Sequence, residues 1–252
     1  KCNKCHYCIR GEQNFCENQI NSDGCFAQYK AVPEASLYSI PEGTGVLEAS
    51  CTEPLACVLN GSSRIDIKPG STVGIIGAGP IGLLHIQVAK LKGASKIIVF
   101  EPIDLRRDMA LKLGATEVYT EFNRKKLGKI ERITDNRLCD NVIVTIGVPA
   151  VMEEAVGLVG NNGGLLYFAG VHPSKLISID PNLIHYRQIL ITGSSDYPLK
   201  FFDTSLKLIS TKQVEIKPLI SNIYSIEEGG KAFENSVNKA ALKTVIKMFD
   251  EE

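Results

Sequence analysis

No charge of one sign dominates this sequence: Lys and Arg together number 28, and so do Asp and Glu. That balance gives no electrostatic basis for holding nucleic acid or an anionic membrane surface. No apolar run reaches the length of a membrane-spanning helix, and no signal-peptide pattern opens the chain. Internal repeats and low-complexity segments are lacking as well. What remains is an ordinary globular chain of 252 residues, 44% hydrophobic and 22% charged, long enough for one large domain or two smaller ones.

Cysteine, by contrast, is plentiful and clustered. Of the 8 cysteines, Cys2, Cys5, Cys8 and Cys16 open the chain as C-x2-C-x2-C followed by seven residues and a fourth Cys. Short steps between thiolates let one loop wrap a tetrahedral Zn²⁺, and four thiolates leave no position for water or substrate. The cluster therefore reads as a structural staple rather than a reaction centre. Paired disulfides are the alternative, but the spacing suits a metal better. Reduced thiols holding a metal point to the cytoplasm. Cys51, Cys57 and Cys139 lie beside or within apolar segments and read as small core residues. The chain begins at Lys1 with a ligand already at its second position, which predicts further residues upstream.

Beyond the cysteine loop, Gly24–Ala31 reads as a strand carrying Phe26 and Tyr29. Thr52 suits a helix N-cap with Pro54 in the first turn, Leu55, Val58 and Leu59 share one face, and Gly61 ends the run. Lys68-Pro69-Gly70-Ser71 is a turn. Apolar runs at 72–76, 96–100, 116–119, 141–145, 164–169 and 188–192 then alternate with helical stretches such as Ile81–Lys92, Leu105–Leu113 and Val151–Val159. This alternation predicts an α/β fold with a six-stranded parallel, doubly wound sheet of the Rossmann type. The last segment, 197–252, holds a helical stretch (Phe202–Leu208) and a final strand, Lys243–Phe249.

Gly77-Ala78-Gly79-Pro80-Ile81-Gly82 is G-x-G-x-x-G, placed after a clear strand and at the opening of an apolar helix. That context is what a dinucleotide fingerprint requires. Gly77 permits the tight turn, Gly79 clears space for pyrophosphate, and Gly82 lets the helix pack closely on the sheet. Pro80 and Ile81 complete the cradle at the helix N-terminus, whose free N–H groups favour an anion. A tight turn without ligand is the alternative. Glu101 ends the second strand nineteen residues after Gly82. A carboxylate there accepts from ribose hydroxyls and repels a 2′-phosphate, favouring NAD over NADP, unless it is merely a solvated strand end. Arg106 and Arg107, just beyond, soften that repulsion.

Taken in order, the cysteine loop, Gly24-Cys25-Phe26-Ala27-Gln28-Tyr29, Glu53-Pro54-Leu55-Ala56, Gly77–Gly82, Thr145-Ile146-Gly147-Val148-Pro149 and Leu242–Lys247 make the chain resemble the zinc-dependent medium-chain dehydrogenases. The sorbitol (polyol) and threonine dehydrogenase branch is the nearest in pattern. The resemblance implies a structural zinc on Cys2, Cys5, Cys8 and Cys16, and a dinucleotide on Gly77, Gly79, Gly82 and Glu101. It implies that Glu53 faces a second, catalytic zinc, as a ligand or through its bound water, and that Thr145 and Gly147 lie near the nicotinamide. It further implies a GroES-like, β-rich catalytic domain represented by residues 1–53 and completed by 197–252, around a nucleotide domain at 54–196. Helix-dipole preference alone also accounts for an acidic residue at position 53. The family's catalytic Cys and His-Glu pair precede the structural loop. His6, His85, His172 and His185 form no such pair and read as solvated or capping residues.

Two functions follow from these readings. One is an enzyme oxidising a secondary alcohol, polyol-like or an amino alcohol, with hydride passed to NAD. The other is a non-catalytic NAD- and zinc-binding protein. The sixth strand, Gln188–Gly193, reads as an apolar sheet edge that pairs with a second copy, giving a homodimer or homotetramer.

Overall fold

The computed structural model describes residues 1–20, 24–122, 127–237 and 241–249. The chain divides into two compact units, Lys1–Ala56 with Asp196–Glu252, and Cys57–Ser195.

The second unit is built on β1 (Thr72–Ile76), β2 (Lys96–Phe100), β3 (Glu117–Tyr119), β4 (Cys139–Val144), β5 (Val159–Tyr167) and β6 (Leu190–Gly193). All pair in parallel, in the order β3-β2-β1-β4-β5-β6. This is the doubly wound order in which chain direction across the sheet reverses between the first and fourth strands, opening a crevice at their carboxyl ends. The inner strands β1, β2, β4 and the second half of β5 are largely buried, as a helix-covered parallel sheet demands, whereas the edge strands β3 and β6 are half-exposed. Ile75, Ile97, Ile98, Val99, Ile143 and Leu165 are all buried. Each such side chain taken from water contributes about 1.5–3 kcal/mol.

In chain order the α-helices are α1 (His6–Ile9), α2 (Val46–Ala49), α3 (Thr52–Ser62), α4 (Pro80–Leu91), α5 (Asp104–Lys112), α6 (Leu127–Ile133), α7 (Pro149–Ala155), α8 (Pro181–Arg187), α9 (Leu199–Ser210) and α10 (Gly229–Ser236). Helix α4 is apolar along most of its length, with Leu83, Leu84, Ile86, Val88 and Ala89 buried. Helix α3 departs from the expected cap: Thr52 is inside the helix, and its hydroxyl donates back to the Ala49 carbonyl at 2.7 Å. Nor does Gly61 end it. A Cβ there would meet the Phe168 ring at 2.9 Å, so the glycine serves close packing inside the last turn.

The first unit carries the cysteine loop, α9, and two further strands, β7 (Ile220–Ser225) and β8 (Lys243–Lys247), paired in parallel with α10 between them in sequence. The expected strand at Gly24–Ala31 is not formed. That segment instead meets its neighbours through side chains: Phe26 packs edge-on to Phe233 (5.4 Å), Tyr29 to Phe249 (5.6 Å), and the Gln28 amide donates to the Met248 carbonyl at 3.4 Å. Aromatic contacts have replaced a backbone ladder.

Among the described residues, no helix is long and apolar enough to cross a membrane.

Candidate functional site

At the β1–β4 crevice, the glycine turn is held by two close approaches. Gly77 sits at φ 97°, a region open to glycine at little cost, and a Cβ on it would meet Thr145 Oγ1 at 2.6 Å. A Cβ on Gly82 would lie 1.9 Å from the Gly77 carbonyl oxygen. The helix can therefore close against the turn only with hydrogen at position 82. Gly79 differs: its φ is −67°, and nothing lies nearer to its missing Cβ than Arg106 Nη1 at 3.9 Å. Open space at Gly79, tight contact at Gly77 and Gly82, and an N-cap without a side-chain acceptor form a cradle that fits a pyrophosphate. Pro80 takes the first helical position, where a missing N–H costs nothing. Like Ile81 it is half-buried at the rim of the cradle.

Glu101 is not a solvated strand end. It is 3% exposed, and its carboxylate accepts the Ala78 N–H on Oε2 at 2.8 Å and the Ile103 N–H on Oε1 at 3.0 Å. A carboxylate has about four acceptor sites, so two such bonds leave capacity for hydroxyl donors. Arg107 is already engaged: it donates to the Glu101 carbonyl at 2.7 Å and pairs with Asp104. Arg106 is the guanidinium that approaches the glycine turn.

Thr145 follows β4 directly. Its N–H donates to the Ile76 carbonyl at 3.0 Å, and its hydroxyl lies 3.0 Å from that oxygen and 3.1 Å from the Gly77 oxygen. Gly147 lies where a Cβ would meet the Gly170 carbonyl at 2.2 Å, because the loops after β4 and β5 pass close together. Sequence reasoning missed Gly170, although a glycine just past a strand end is a usable signal for such an approach. It also missed the Ala78 N–H, for which no sequence signal exists.

The thiolate loop belongs to the first unit. The four sulfurs of Cys2, Cys5, Cys8 and Cys16 all lie within 4.8 Å of one another, and Cys2 and Cys8 are 4.0 Å apart. A tetrahedral zinc with Zn–S bonds near 2.3 Å sets its sulfurs roughly 3.8 Å apart, so the donor set fits. Gly11 at φ 78° turns the chain after α1, and backbone N–H groups aim at sulfur: Cys5 N–H to Cys2 Sγ at 3.3 Å, Cys2 N–H to Cys16 Sγ at 3.2 Å. Backbone donors, that of Lys4 foremost, lower the Cys2 thiol to about 6, and loss of hydration raises Cys8 to about 11. Donors that favour a thiolate favour a metal ligand.

Glu53 lies exposed on the first turn of α3, and among the described residues it joins no group of three or more metal-ligating side chains. The histidines are scattered. His6 is exposed on α1, His172 shares a contact with Ser174 Oγ at 2.9 Å, and His185 lies against Tyr186. His85 is neither solvated nor capping: it is fully buried on α4, with Nδ1 3.2 Å from Ser62 Oγ and its ring edge-on to Phe168 at 4.8 Å. Burial holds it down from 6.5 to about 3.

Comparison with known proteins places this geometry in context. The zinc-binding dehydrogenase family profile matches residues 80–211. An L-threonine 3-dehydrogenase of Pyrococcus furiosus is 33% identical over 242 residues, 92% of this chain and 68% of that protein. A sorbitol dehydrogenase of Bacillus subtilis is 30% identical over 241 residues, 94% of this chain and 68% of the relative. Among solved structures, a zinc-binding dehydrogenase of Sinorhizobium meliloti bound to NADP superposes with a TM-score of 0.88 at 30% identity, covering 98% of this chain and 74% of the other. The chain belongs to the zinc-binding dehydrogenase family.

Proposed function

We propose that this protein oxidises a secondary alcohol to a ketone and passes the hydride to NAD⁺. The observation that carries the reading is the cradle at the β1–β4 crevice, where Gly79 leaves open the space that Gly77 and Gly82 frame. In this reading residues 54–196 are the nucleotide domain, and 1–53 with 197–252 belong to the catalytic domain. Gly77, Gly79, Pro80, Ile81 and Gly82 hold the pyrophosphate, Arg106 adds charge to it, and Glu101 takes the ribose. The loop after β4, which carries Thr145 and Gly147, lies near the nicotinamide. Cys2, Cys5, Cys8 and Cys16 hold a structural zinc, and Glu53 serves a catalytic one. Bound zinc supplies a Lewis acid and NAD⁺ a hydride acceptor; the chain's own residues orient both and exclude water.

NAD is preferred to NADP because the buried Glu101 carboxylate repels a 2′-phosphate while Arg107 is held by Asp104. The NADP-bound relative makes this a point to measure. The substrate order we favour is polyol, amino alcohol, then simple secondary alcohol, in keeping with the sorbitol and threonine dehydrogenase relatives. We place the protein in the cytoplasm, where thiols stay reduced. Strand β6 is a sheet edge with Leu190 exposed, which supports a homodimer or homotetramer through that edge. A monomer on size-exclusion chromatography at micromolar concentration contradicts this assembly.

A second reading is favoured by one observation: among the described residues, the four-thiolate group is the sole set of three or more metal-ligating side chains, and its geometry is closed. That reading is a protein that binds NAD and zinc without catalysis. Reduction of NAD⁺ with a panel of polyols and L-threonine, before and after chelation, separates the two. Chelator-sensitive turnover supports the enzyme; binding of NAD⁺ without turnover on any alcohol supports the second reading.

A further inference from the structure

The peptide unit between Gly77 and Ala78 is gripped at both ends. Its carbonyl oxygen lies 3.1 Å from the Thr145 hydroxyl, and its N–H donates to Glu101 Oε2 at 2.8 Å. The Gly77–Ala78 peptide, Glu101 and Thr145 come from three different strand ends, just after β1, β2 and β4. A peptide can rotate as a plane about its flanking bonds, most freely beside a glycine. Here the Thr145 donor and the Glu101 acceptor together allow one orientation. The Gly77 carbonyl is confined further, since the Gly82 Cα packs directly on it. Gly79, the open position of the cradle, follows two residues later, so the plane of this peptide sets where the cradle points.

The geometry points to Thr145 as a positioning residue for the phosphate turn, acting through the Gly77 carbonyl rather than through the nicotinamide. The inference rests on the dinucleotide reading of the cradle. The hydroxyl lies within reach of two backbone carbonyls, Ile76 and Gly77, and with a single proton it is committed to that pair as a donor. Its methyl group has no part in the grip. Thr145→Val keeps the shape and the β-branch and removes the donor, whereas Thr145→Ser keeps the donor and removes the methyl.

The discriminating ligand is ADP-ribose, which carries the pyrophosphate and both riboses of the dinucleotide and lacks the nicotinamide. Calorimetric titration of the full chain with NAD⁺ and with ADP-ribose tests the role. Thr145→Val weakens both ligands by the same factor, roughly three- to tenfold, as expected for one net hydrogen bond. Thr145→Ser restores wild-type affinity for both. The proposal is overturned if Thr145→Val weakens NAD⁺ and leaves ADP-ribose unchanged, because the hydroxyl then serves the nicotinamide end. It is overturned equally if neither affinity moves. Should the valine variant fail to fold, the serine variant decides: loss of both ligands despite the retained hydroxyl overturns the proposal. Failure of the wild-type chain to bind either ligand removes the dinucleotide reading itself, and the proposal with it.

Discussion

Glu101 and Ala78, twenty-three residues apart in sequence, are joined by a buried hydrogen bond of 2.8 Å from backbone N–H to carboxylate. The acidic residue just after β2 thereby does two things at once: it fixes the glycine turn, and it places a negative charge beside the cradle. Glu101→Gln keeps the size, removes the charge and gives up one of the two backbone N–H bonds to Ala78 and Ile103, so both dinucleotides weaken and it is their ratio that reports the charge. Like charges brought together cost several kcal/mol, so the ratio of NAD⁺ to NADP⁺ affinity is expected to move toward NADP⁺ by roughly tenfold or more. Equilibrium titrations of both dinucleotides on wild type and variant check this. An unchanged ratio shows that Glu101 does not face the ribose.

His85 makes the second unit sensitive to acid. Burial lowers its basicity from 6.5 to about 3, so in this interval the unfolded chain binds a proton that the folded chain refuses. Its stabilisation is complete above about pH 6.5 and is lost progressively as pH falls toward 3. The slope is roughly 1.4 kcal/mol per pH unit from this residue alone. Denaturant midpoints for wild type and His85→Leu at pH 7, 6 and 5 read the difference. The leucine variant shows the shallower decline. Parallel declines mean that His85 is hydrated in the folded state.

The cysteine loop depends on its metal. Four sulfurs within 4.8 Å repel one another as thiolates unless a cation lies among them. Native mass spectrometry of the full chain is expected to show a zinc that is lost in Cys5→Ser. Wild type and variant carrying equal zinc contradict the four-thiolate site.

Much of this molecule was legible before its structure was known. Strands β1 and β2 match the apolar runs at 72–76 and 96–100, because a buried parallel strand needs a continuous β-branched run and little else does. Strand β5 starts five residues before the expected 164, at Val159. Its first half reads as a turn, with two glycines and two asparagines, and the pairing with β4 shifts register there. A Cβ on Gly160 would meet the Arg137 carbonyl at 2.2 Å, so that glycine records a backbone crossing and not a loop. Strand β7 is half-exposed along its length and offers no continuous apolar signal. Gly24–Ala31 failed in the opposite sense. Its bulky residues suit a strand, yet its contacts with Phe233 and Phe249 are aromatic and carry no periodicity that a sequence displays. At the candidate site the glycines were readable because each has one steric job. The grip on the Gly77–Ala78 peptide was not, because it is made by strand ends that only the topology brings together.

The glycine turn itself offers the most direct test of the whole account. Alanine at position 82 would press on the Gly77 carbonyl at 1.9 Å and disturb the fold, so its loss of binding would be uninformative. Position 79 is different, because its backbone suits any residue and its side-chain direction is open. Gly79→Val should fold as wild type does, less stable by no more than about 1 kcal/mol because valine is a poorer N-cap than glycine, and should lose calorimetric binding of both NAD⁺ and ADP-ribose. A folded Gly79→Val variant that binds either ligand as tightly as wild type contradicts the cradle and the dehydrogenase reading built upon it.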